Sequence, residues 1–350
     1  SVMKTLFSFI FIFYSFIGFS QTSQEIVNVS NEFLLTLSED AKNEVLRDFN
    51  DSLRTKWTNL PIGLAKRPGK KFGDLSDKAK IKFHEVLTTI FSSQGYLKTT
   101  SIMQLDDMLN ARVDEAIEKN LIKKENIPRI KALDWDYNNY FISIWGNPNL
   151  QTPWSIKFEG HHLSINLTIV KEKISFTPMF VGADPALIPS TKHVGLRVLS
   201  KEEDYGIRLI NSFDESQQKI ATLSQEVPKD IITNPSNNQR ITEYQGIKAN
   251  ALTKDQKKIL TLLIKEFINN LEYEKSNKYL LEIEEKGLDE IYFAWIGSYK
   301  KREPNYYIIN GPNFIIEYDN TGNHIHSIWR EKDNDFGEDL LRTHHINHKH

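Results

Sequence analysis

From residue 25 to about residue 60, apolar side chains return every three or four positions, as at Phe33, Leu34, Leu37 and Ala41. That is the spacing of one helix face. Trp57 reads as a core anchor closing this helix, and residues 61–72 as a basic, Gly/Pro-rich connection. Ser76-Asp77 opens a second helix, with Ala79, Phe83, Val86 and Ile90 on one side and Gly95 at its end. A third runs from Ile102 to Asn120, and its acidic residues mark a solvated face.

At Asp136 the helical period gives way to alternation. Residues 140–146, 154–159, 163–169 and 173–176 are aromatic and β-branched runs separated by turn residues, which predicts an antiparallel meander. Residues 180–186 read as a small-residue loop suited to line a pocket, and 195–198 as a short strand. Helical spacing returns over 201–223 and, most clearly, over 252–271; between them 228–246 is polar and irregular, a surface loop or lid. Strands resume at 291–297, 306–310 and 314–318, followed by one bearing His324 and His326 and a short helix from Asp335. The fold class is α+β.

The two aromatic stretches superpose without a gap. Phe141–Gly146 falls on Tyr292–Gly297, and the same shift carries Gly160 onto Gly311 and Leu163–Leu167 onto Phe314–Tyr318. A similar helix precedes each. The pattern predicts a unit of amphipathic helices plus meander used twice, with half-repeats at about 75–180 and 252–330. Packed as one pseudo-symmetric domain over 21–350, it would bring equivalent strands near each other.

Composition narrows the chemistry. The net charge of −2 on 350 residues provides no field for nucleic acid or anionic lipid. Cysteine is absent, which excludes disulfides, thiolate metal ligands and a cysteine nucleophile. Leu6–Phe19 is an apolar run of 14 residues behind Met3-Lys4, too short to span a bilayer comfortably, with Gly18 and Ser20 placed for cleavage. It predicts a signal peptide over 1–20 and an exported protein, periplasmic or extracellular, with no stable membrane association once the signal is removed.

The histidines are the densest candidate chemistry. On a strand His324 and His326 point to one face and can hold one ion together. His161-His162 cannot both do so on a regular strand, so one of them is the expected third ligand; His344, beside His345, extends the set, and His348 and His350 could bind metal adventitiously. Glu317 and Asp319 are candidate bases, Arg330 and Arg208 candidate anchors for a substrate carboxylate or phosphate, and Asp335 and Asp339 candidate partners of ligand or substrate. Neutral histidines with an open position suit zinc in hydrolysis; imidazoles also suit copper or iron oxidation.

Trp154…Phe158-Glu159-Gly160-His161-His162-Leu163-Ser164-Ile165-Asn166 resembles the family catalogued as domain of unknown function 3500. Thr177-Pro178…Phe180…Gly182-Ala183…Pro185 is similar too, as is the stretch from Gly311-Pro312 through Glu317-Tyr318-Asp319-Asn320, Asn323-His324-Ile325-His326, Arg330 and Asp335-Phe336-Gly337 to His344. The resemblance implies one full-length domain, commonly in exported bacterial proteins, and shared site positions without an established activity. The expectation is a metal-dependent enzyme, zinc or copper, with hydrolysis slightly ahead of oxidation and a small polar substrate. The other readings are a non-catalytic binder of metal or ligand using an aromatic cleft at Trp154, Trp295 and Tyr307, and an interaction module in which the histidines only bridge two halves.

Overall fold

The computed structural model describes residues 21–236 and 240–347; the expected signal segment, His348 and His350 lie outside the described residues. In chain order the first half has α1 (Gln21–Leu35), α2 (Glu39–Val45), β1 (Leu46–Arg47), β2 (Lys70–Lys71), α3 (Asp77–Ile90), α4 (Ser93–Glu118) and α5 (Ile127–Lys131). Then come β3 (Phe141–Trp145), β4 (Trp154–Gly160), β5 (Leu163–Val170), β6 (Lys173–Ser175) and β7 (Met179–Ala183). The second half has α6 (Ser200–Asn211), α7 (Glu215–Ala221), β8 (Thr222–Ser224), β9 (Ile247–Lys248), α8 (Lys254–Ile268) and α9 (Tyr273–Lys286). It closes with β10 (Tyr292–Gly297), β11 (Asn305–Asn310), β12 (Phe314–Asn320), β13 (Ile325–Glu331) and α10 (Glu338–Asn347). The mixed helices and strands are those of an α+β fold.

The strands form one sheet in the order β1-β3-β4-β5-β7-β13-β12-β11-β10-β8, with β2, β6 and β9 attached beside it. The antiparallel pair β7–β13 joins the two halves at its centre, with Val181 opposite Ser327. One face is packed by helices, with Phe83 of α3 on Phe158 at 4.9 Å and Gly206 of α6 against Tyr307. Trp154, Trp295 and Tyr307 are wholly buried, so the expected aromatic cleft is instead core. The other face is covered by irregular chain: Trp57 packs on Phe180, while Val227, Ile232 and Ile241 pack against Ala294, Ile296 and Ile308. The described residues of 228–246 are therefore a cover holding the buried Ile231 and Thr233.

Several local expectations are corrected. The first helical stretch ends at Val45, because Leu46 turns extended to pair with Ile144 of β3. Gly95 lies in the first turn of α4, capped by Ser92, where a Cβ would meet the Asn270 carbonyl oxygen at 2.0 Å. Residues 179–183 are a strand between β5 and β13, since both neighbours supply its hydrogen bonds. Residues 195–198 form turns, and 201–223 breaks after Asn211, where the Asp214–Gln217 capping box starts a new helix. No helix among the described residues is long and apolar enough to cross a membrane.

Candidate metal centre

His161-His162 is the two-residue turn between β4 and β5, closed by the Gly160–Leu163 pair. His162 takes φ +59, a left-handed conformation that costs a side-chain-bearing residue energy and that histidine adopts more readily than most. Its backbone is fixed on both sides: its N–H donates to the Asn59 carbonyl at 3.2 Å, and its carbonyl accepts from Gly182 N–H at 2.8 Å. This turn aims the imidazole at the start of β13. There His162 Nε2 lies 2.8 Å from His324 Nε2, and the His162 and His326 ring centres are 5.1 Å apart. His162, His324 and His326 each offer a ligand atom, all within 4.8 Å of one another, so the group could hold a metal ion.

Burial and the neighbouring rings keep the His162 and His324 imidazoles neutral. Burial pushes His162 well below the ordinary histidine range, and burial with His326 nearby lowers His324 to about 3. Neutral imidazoles are the form that ligates metals. His326 Nδ1 lies 2.7 Å from Asp230 Oδ1, the arrangement in which a carboxylate fixes the tautomer of a ligating histidine. Asp319 sits directly across from His326 on β12. Burial, then Asp230 and Glu317, raise its carboxyl to about 8. Asp230, Asp319 and His326 form a second group that could hold a metal.

Glu317 and Arg330, read from sequence as catalytic, do something else in the fold. Glu317 accepts from the Ile232 N–H at 2.8 Å, from the Thr233 hydroxyl and from the Tyr306 hydroxyl. Arg330 donates to Thr233 Oγ1 at 3.0 Å and to the Thr233 carbonyl at 2.8 Å, and pairs with Asp335 at 2.5 Å. Together they clamp the 230–234 segment onto the sheet and so set Asp230 against His326.

The remaining expected residues fall apart spatially. His161 turns away from the cluster to Asp106, Nδ1 to Oδ1 at 2.6 Å, although its ring lies 3.8 Å from that of His162. His344 is beside Val170 and Lys171, at the far end of β5 from His162. Seven residues of strand separate those ends, about 23 Å. Asp335 belongs to the Arg330 clamp, and Phe336 at φ +55 breaks the helix that would have put Asp335 and Asp339 on one face. Asp339 is exposed and pairs with Arg342. Arg208 is exposed on α6, whose Gly206 packs on Tyr307 across the sheet from His326.

Asp106 and Asp230 were missed. Asp106 sits among acidic residues on α4 that pattern alone reads as solvated, yet it is buried under Tyr140, whose hydroxyl is 3.0 Å from its Oδ2. Asp230 lies in a polar loop with no periodicity to single it out. The one available signal was the hydrophobic Ile231-Ile232 pair beside it, which marks the loop as packed.

Fold and site thus define an α+β protein with a three-histidine cluster at the strand ends in the middle of a mostly antiparallel sheet. The chain belongs to the family described as Protein of unknown function (DUF3500), which matches residues 19–338. No curated protein and no solved structure matches it significantly.

Proposed function

We propose that this chain is an exported metal-dependent enzyme that hydrolyses a small polar substrate, with its ion on His162, His324 and His326. What carries the reading is that three imidazoles, from a turn and from a strand well over a hundred residues later, converge on ligand atoms within 4.8 Å. A divalent ion on such ligands supplies Lewis acidity, and zinc, then copper, suits an all-nitrogen set without thiolate. The chain's own part is to hold His162 and His324 neutral, to fix the His326 ring through Asp230, and to present the Asp319 carboxyl for proton transfer. His324 and His326 are only half-buried, which gives substrate a side of approach. Export rests on the Leu6–Phe19 run.

We further propose that residues 21–350 are one domain made of a unit used twice. Strand registers support this. A shift of 151 residues carries the pairs Phe141–Glu159 and Trp154–Ile169 onto Tyr292–Asn310 and Asn305–Asn320. β1 runs parallel to β3 as β8 runs parallel to β10. The same shift carries His162 onto Asn313, so the histidine of this turn has no counterpart in the second half.

The test starts with mature chain stripped by chelator. Zn2+ is titrated against a chromophoric chelator, and the loaded protein is assayed on chromogenic phosphate and carboxylate esters. Zinc binding that loses one site in the His162→Ala/His324→Ala double variant, with turnover of the wild type restored by zinc, is the expected result. Absence of zinc binding, or binding indifferent to those histidines, overturns the metal site; zinc binding without ester turnover overturns the hydrolase.

A further inference from the structure

Beside the three histidines, the Asp230 and Asp319 carboxylates stand close together. Asp230 and Asp319 each place an oxygen within 4.8 Å of the other and of a His326 nitrogen. Two desolvated carboxylates this close cannot both stay ionised unaided, and a fold holds them with a shared proton or with a bound cation. Asp319 is 1% exposed, and its Oδ1 is a buried atom without a hydrogen-bond partner. Every other strong acceptor around it is engaged: Glu317 is taken by Thr233 and Tyr306, and Asp335 by Arg330. An orphaned, buried carboxylate oxygen is a costly feature unless something pairs with it.

His326 connects this pocket to the histidine cluster. Its Nδ1 is turned to Asp230 at 2.7 Å, which leaves Nε2 for the side where the His162 and His324 rings stand, 5.1 and 4.6 Å away between centres. The clamp of Glu317 and Arg330 on residues 232–233 keeps Asp230 in that place although its loop has no regular structure. The two groups of residues have His326 alone in common.

We propose that Asp230, Asp319 and His326 form a second divalent-cation position, so that the centre takes two ions bridged by the His326 imidazole. The proposal extends the three-histidine reading and is separable from it. A mixed carboxylate and imidazole set suits zinc, manganese or cobalt. When the second ion binds, it displaces the proton shared by His326 Nδ1 and Asp230, which leaves to solvent.

Counting ions decides the matter. The purified mature chain, stripped and then equilibrated with Zn2+ alone, should hold two ions per chain by elemental analysis. Asp319→Asn should hold one, and so should Asp230→Asn, a second variant on the partly exposed loop whose loss of a carboxylate leaves the sheet intact. The His162→Ala/His324→Ala double variant should keep one. Loaded with Cu2+, the wild type should show the magnetic coupling of two copper ions across an imidazolate, absent in Asp319→Asn. One ion per chain in the wild type, retained in both Asp variants, overturns the second position and leaves the three-histidine site standing. No ion at all overturns both.

Discussion

His162 Nε2 and His324 Nε2 lie 2.8 Å apart, although 162 residues of chain separate them. The contact exists because β7 is inserted between β5 and β13, so that the turn before β5 overhangs the start of β13. At neutral pH neither ring is charged, so the approach carries no repulsion. Replacing either His162 or His324 with Ala should weaken zinc binding by roughly a hundredfold or more, since even removing an outer carboxylate costs about 10–100-fold. Competition titration reads this directly, and unchanged affinity would refute the role.

Gly182 is a packing test of the same geometry. A Cβ there would stand 2.8 Å from the Ile325 carbonyl oxygen and 2.9 Å from His162 Cδ2. Gly182→Ala should therefore cost about 1–3 kcal/mol by overpacking. It should also displace the His162 ring and lower zinc affinity without touching a ligand. A variant of wild-type stability and affinity in chemical denaturation and titration would contradict this placement.

Glu317 should behave as a clamp. Glu317→Ala leaves the Tyr306 and Thr233 hydroxyls without their acceptor in a buried site, while the Ile232 N–H keeps only the Tyr306 oxygen at 3.0 Å. The expected loss is roughly 3 kcal/mol or more of stability. Amide exchange should speed up across residues 230–234, and zinc affinity should fall because Asp230 is released. A variant that loses turnover with unchanged stability and exchange would make Glu317 a catalytic group instead.

Glu331 provides a pH signature. Burial raises its carboxyl to about 7, against hydrogen bonds from Asn334 and Ser175 that favour the ionised form. With the folded value above the unfolded one, its contribution is complete below the unfolded range near 4.5 and disappears as pH rises through about 7. Relative to Glu331→Gln, the wild type should lose on the order of 3 kcal/mol between pH 5 and 8. Parallel stability curves for the two proteins across that window would show that Glu331 ionises normally.

Much of this was legible in the chain. Ala79, Phe83, Val86 and Ile90 bury as their spacing requires, and His324 and His326 share a face because strand side chains alternate. Periodicity reports a local property, which face an element will bury, and it carries that far. The family match likewise follows from the order of residues alone. The sequence by itself therefore determined most of the long helices, though not α9, most of the strands and the histidines worth watching.

Tertiary structure decided which of them meet. β7 is a strand only because β5 and β13 both offer it hydrogen bonds, a fact beyond any local window. The backbone contacts that hold His162 at positive φ come from Asn59 and Gly182, and Asp230 reaches His326 because Glu317 and Arg330 tether an irregular loop. His344 has the same side chain as His324 but lies at the opposite end of β5. A side chain's chemistry is written in its own residue, whereas its partners are set by pairings and long-range packing distributed over the whole chain.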